Sequence, residues 1–110
     1  MMIVKLQKQH SDYPDLTPGQ PYVVIGIEAD DLRILNDQGR PFLYPPELFE
    51  VIDPHEPGDW VSEIGEDGER YAYPPSLNVV GFFEDFFDNQ RQAVATFWRV
   101  VNQRLALATG

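Results

Sequence analysis

Carboxylates carry whatever chemistry this sequence offers. Glu56, Asp59, Glu63, Glu66, Asp67 and Glu69 place six acids within 14 residues, with no base before Arg70. Asp67 with Glu69, and Glu63 with Glu66, have the spacing of an acid and base pair, which works only when folding shelters one carboxyl enough to raise its pKa. Both pairs lie in or beside Gly65-Glu66-Asp67-Gly68, a turn composition that predicts exposure. No catalytic residue is assigned on this basis, and the chain is expected to be non-enzymatic. His10 and His55 stand outside any local nucleophile or metal motif, and Gly-x-Ser-x-Gly, Gly-x-x-x-x-Gly-Lys and His-x-x-x-His are absent. Glu84 and Asp88 are four apart on a short helical pattern, where a solvated polar face is the expectation. Hard-cation loops cluster their oxygens at short alternate spacings instead. Neither a metal nor a cofactor is expected.

The charge is uneven along the chain. The net charge of −10 is made by the stretch from Tyr22 to Asp88, where 16 acids face Arg33, Arg40 and Arg70; the first 21 residues balance and the segment from Asn89 onward is basic. A body of that sign repels phosphate backbones and attracts basic partners, so a basic protein partner is expected and nucleic acid is not. With no cysteine, disulfides and thiolate chemistry are excluded. Lys5 and Lys8 interrupt any signal-peptide core, and no apolar run approaches a membrane span, so the expectation is a cytoplasmic protein without membrane contact.

At 110 residues there is room for a single domain. The elements that must position the acids come in the order of the apolar runs. Ile3 to Leu6 alternates like a first strand, with a frayed end as the equal alternative. Pro18-Gly19 turns the chain before Tyr22 to Ile27, a run apolar on both faces and therefore buried on two sides or sharply bent, with Gly26 marking a bulge or corner. Leu32 to Leu35 directs Leu32 and Ile34 inward and Arg33 outward. Asn36 to Gly39 makes a hairpin turn into Phe42 to Tyr44, and Tyr44-Pro45-Pro46-Glu47 predicts a 3₁₀ turn into Leu48 to Ile52. A second hairpin joins Trp60–Ile64 to Glu69–Tyr73. Its aromatic row of Trp60, Tyr71 and Tyr73 is either core or binding surface.

The pattern turns helical after Pro74-Pro75. Phe82, Phe83, Phe86 and Phe87 recur at helical spacing and predict a short helix over about 82–88. Asn89, with Gln92 three places on, reads as a capping box opening a helix over about 90–105. Its stripe of Val94, Phe97, Trp98, Val101 and Leu105 is expected to seal the open side or end of a barrel, although a face that includes Trp98 also suits a second copy, making a homodimer an open alternative.

Three motifs carry a family resemblance: Tyr-x-Val-x-Gly-Ile from Tyr22, Arg-Ile-x-Asn-Asp-x-Gly-x-Pro from Arg33, and Tyr-Pro-Pro-x-Leu-Phe-Glu-Val-Ile-Asp ending at Asp53. Together they resemble small bacterial SH3-like barrel proteins, some of which accompany polymorphic toxin systems as candidate immunity proteins. Trp60 and Gly81 to Asp85 extend the likeness. The fold implied is mainly β with a C-terminal α-helix: a bent SH3-like barrel of five or six strands over about 21–73, capped by the helix. The function implied is inhibition of a basic toxin. Composition agrees with a binding role, in which Asp30, Asp31, Asp37, Glu66, Asp67 and Glu69 form an acidic face and Trp60, Tyr71 or Tyr73 the aromatic anchor. A nucleic-acid-associated SH3-like domain is the alternative reading, with a small enzyme using acidic residues behind it.

Overall fold

The computed structural model describes residues 1–109, with side chains through residue 106. Seven strands precede two helices: β1 (Ile3–Leu6), β2 (Pro21–Glu28), β3 (Asp31–Leu35), β4 (Pro41–Tyr44), β5 (Phe49–Asp53), β6 (Val61–Ile64), β7 (Arg70–Tyr73), α1 (Phe82–Phe87) and α2 (Arg91–Thr109). The expected 3₁₀ turn is present over Pro46–Leu48, and another follows β7 at Pro75–Leu77.

All strand pairs are antiparallel, in the order β4-β3-β2-β1-β5, with β7 joined to β2 through Ile27↔Ala72 and β6 outside β7. This corrects the expected SH3-like barrel. Among the described residues β4, β5 and β6 each pair on one side only, so the sheet is open. The reason lies in where the second hairpin goes. A closed barrel needs the last strands to bridge the two edges, whereas β7 returns to the middle of the sheet beside β2 and leaves β4 and β5 unjoined. The resemblance to SH3-like barrels falls with closure, and the immunity role that it implied has no other support. The chain is a mixed α/β domain with an open antiparallel sheet.

β2 is the element on which the layers meet. The register slips between Val24 and Gly26 opposite β3, a bulge at the position where glycine marked one. The extra residue exchanges faces. Tyr22, Val24 and Ile27 enter one apolar cluster with Val4, Leu6, Leu32, Ile34 and Phe49, while Ile25 enters a second with Tyr73 and the helices. Glycine is required at 26, because a Cβ there would overlap the Tyr73 ring and lie 2.8 Å from the Ala72 carbonyl. The β2–β3 hairpin closes through Ala29 and Asp30, whose φ of 49° and 69° make a two-residue loop of the kind that matches strand twist.

The helical layer holds the second cluster. Phe82, Phe83 and Phe86 are buried and Phe87 is half-buried, as their spacing predicted. In α2 the core face is Ala93, Phe97, Val100 and Val101; Val94 and Trp98 lie at its margin and Leu105 is 39% exposed. Phe97 has no exposure at all, and burying a side chain of that size contributes about 2 to 3 kcal/mol.

Asn89 does something other than cap α2. It sits at φ 58° after α1, and the Asn89 and Gln90 N–H groups donate back to the carbonyls of Phe86 and Asp85 at 3.0 Å each. Those bonds are a helix-terminating motif with asparagine in the left-handed position usually held by glycine. Gln90 is the residue that leads into α2, its carbonyl accepting from the Val94 N–H at 3.0 Å.

Candidate functional site

The correction with most bearing on the site concerns Arg33. Read as outward from its strand parity, it is 5% exposed. Its Nε donates to the Tyr73 hydroxyl, Nη1 to the Pro41 carbonyl and Nη2 to Glu28 Oε1, each at 3.0 Å, and its guanidinium lies 3.9 Å over the Phe83 ring. A planar cation with several fixed donors is the side chain that can be buried this way. The Tyr73 hydroxyl also lies 3.0 Å from Glu28 Oε1. Burial pushes the Tyr73 pKa up, and the Arg33 charge opposes this only in part.

Arg33, Glu28 and Tyr73 form the floor of a groove of about 880 Å³. One wall is the outer sheet face, with Leu43 from β4, Tyr71 from β7 and Glu63 from β6. The other is the segment that folds over it, Leu77 to Asp88, which contributes Val79, Val80, Glu84, Phe87 and Asp88. Val79 and Val80 are 62% and 101% exposed. Four carboxylates, Glu28, Glu63, Glu84 and Asp88, thus line the groove against a single guanidinium already bonded to Glu28. Tyr71 is partly exposed between them. Its pKa is raised by the desolvation around it and by the charge of Glu69, with Glu28 and Asp30 adding smaller contributions.

The acids expected to form one face are dispersed. Asp30 clips the β2–β3 turn to β7, its Oδ1 accepting from the Arg70 N–H at 2.9 Å while its own N–H donates to the Arg70 carbonyl at 3.0 Å. Asp31 opens β3, half-buried. Asp37 accepts from the Tyr22 hydroxyl and from Thr17 Oγ1 at 2.6 Å each, on a different side of the sheet. Glu66 and Asp67 stand exposed at the tip of the β6–β7 hairpin. Glu69 turns back into that turn, accepting from the Asp67 N–H at 3.0 Å. The aromatic row divides as well. Tyr73 is core, Trp60 packs half-buried against the sheet cluster, and Tyr71 alone of the three lines the groove while partly exposed.

Ion pairs fix the margin. Arg70 binds Glu56 through two hydrogen bonds of 2.6 Å, and this bonding holds the Glu56 carboxyl below its ordinary range and raises the Arg70 pKa. Arg104 of α2 binds Asp59, whose carboxyl is likewise held low by that hydrogen bond. The Pro54–Trp60 loop is therefore clamped to β7 at one point and to α2 at another. Among the described residues no group of three or more His, Cys, Asp or Glu is placed to hold a metal ion, and no helix is long and apolar enough to cross a membrane.

Fold and groove together define an acidic α/β domain with an open cleft across a sheet face. Comparison with protein-family models, with curated proteins and with solved structures finds no match to this chain.

Proposed function

We propose that the protein is a non-enzymatic binding domain that holds a basic, extended segment of a protein partner in the groove between the sheet and α1. The observation that carries this reading is the lining: Glu28, Glu63, Glu84 and Asp88 share the groove with exposed Val79 and Val80, and the one base among them is occupied. Charge complementarity of this kind selects a lysine- or arginine-rich ligand, and the valines and Tyr71 supply the apolar contact that slows its departure. Glu66 and Asp67 at the hairpin tip add long-range attraction.

The test is stopped-flow binding of a labelled peptide of alternating lysine and valine, at low and moderate salt. Glu66→Lys with Asp67→Lys is expected to slow association and flatten its salt dependence, whereas Glu84→Lys with Asp88→Lys or Tyr71→Ala speeds dissociation. Equal binding of an acidic peptide, preferential binding of single-stranded RNA, or indifference to salt would each refute the proposal.

A further inference from the structure

A second cleft, of about 560 Å³, lies on another part of the molecule, between the first half of β2 and the Val100-to-Leu105 stretch of α2. Val23 and Ile25 form one wall, Val100 and Val101 the other, and Trp60 and Pro74 close the sides. It occupies the place where the two apolar clusters approach without meeting: Trp60 packs on the first, and Ile25, Val100 and Val101 belong to the second. Its size falls within the range of small-molecule sites, which are mostly apolar with a few polar groups that fix orientation.

The polar groups decide what kind of molecule fits. At one end Asn36 and Asp37 line the cleft, but both are engaged. Asn36 donates to Asp15 and Tyr44 and accepts from the Gln38 and Arg40 N–H groups, and each Asp37 oxygen accepts a hydroxyl. At the other end Arg104 lines the cleft, bonded to Asp59 through Nη2 alone of its nitrogens among the side-chain bonds described. A guanidinium carries five N–H donors, so a second carboxylate can share it with Asp59.

We propose that this cleft binds an organic anion with an apolar body, the body lying between Val23, Ile25, Val100 and Val101 and against Trp60, and the carboxylate on Arg104. The site is separate from the groove, and peptide binding neither requires nor excludes it.

The probe is decanoate, titrated below its micellar concentration into a Trp98→Phe variant so that Trp60 is the sole fluorescent tryptophan. Saturable quenching with one site per chain is expected, with decanol at least tenfold weaker. Arg104→Gln is expected to erase that preference. Val101→Phe, which fills the cleft, is expected to weaken decanoate at least tenfold; Val23→Phe, from the opposite and half-exposed wall, does the same if the Val101 variant fails to melt cooperatively. Decanol binding as tightly as decanoate, multi-site surfactant binding, absence of quenching, or affinity untouched by the filling variants would each overturn the assignment.

Discussion

Replacing Arg33 with methionine keeps the aliphatic stem on Phe83 and removes every donor. The Pro41 carbonyl and the Tyr73 hydroxyl then lose a partner inside the domain, and Glu28 loses its counter-charge. Removing one member of a buried ion pair costs about 3 to 5 kcal/mol, and the lower end applies here because water can reach Glu28, whose side chain is 37% exposed. A loss of about 3 kcal/mol in a domain of this size lowers the melting temperature by roughly 12 °C. Thermal melts followed by circular dichroism measure it directly. The partner variant Glu28→Gln is expected to cost less alone, and the double variant less than the two singles combined, since the orphaned charge is gone. If Arg33→Met melted within about 3 °C of the native chain, the buried network would not be contributing as described, and the floor of the groove would need another account.

Three further outcomes can be measured by melting. Tyr44 and Tyr73 have pKa values raised by burial above the ordinary 10.0, so the unfolded chain releases these protons first; stability is full below pH 10 and falls as pH rises past it, and Tyr44→Phe or Tyr73→Phe is expected to flatten the decline in an alkaline melting series. On the acid side Glu56 has the opposite sign, its lowered pKa giving stability that is present above its ordinary 4.5 and lost as pH falls below, and Arg70→Gln removes that dependence. At the α1–α2 junction, Asn89→Gly is expected to be neutral or slightly stabilising and Asn89→Ala to cost about 1 to 2 kcal/mol, because alanine is strained at the positive φ; equal melting of the two would say that the left-handed turn is not being held there.

What the sequence revealed was local. The four phenylalanines, the Pro45-Pro46 turn, the bulge at Gly26 and the double burial of β2 each rest on residues a few places apart, and each is in the structure. Openness of the sheet was not legible in that way. It depends on where β7 docks, a pairing of Ile27 with Ala72 that no short window contains. Arg33 does alternate with Leu32 and Ile34, but the face it occupies is covered by Phe83, and its partners Glu28, Pro41 and Tyr73 arrive from three other strands, a convergence that lets a cation be buried there. Asn89 reads as the N-cap of α2 because Gln92 stands three places on, whereas it ends α1. Within the groove, Tyr71 was singled out by its place in an aromatic row, whereas Glu84 and Asp88 read as a solvated helix face; they become groove residues because Leu77 to Asp88 folds across the sheet.

The bulge in β2 has a consequence for how the molecule opens. By presenting Tyr22, Val24 and Ile27 on one side and Ile25 on the other, a single strand becomes the common wall of both apolar clusters. Detaching the helices uncovers Ile25 and Tyr73, and peeling β1 and β5 away uncovers Tyr22 and Val24, so neither layer can be lost while the other keeps its full packing. Subglobal opening is therefore suppressed at β2. Its amide hydrogens are left with the whole-molecule transition as their route to exchange with solvent, making this strand the slowest clock in the chain and the place where global stability can be read residue by residue.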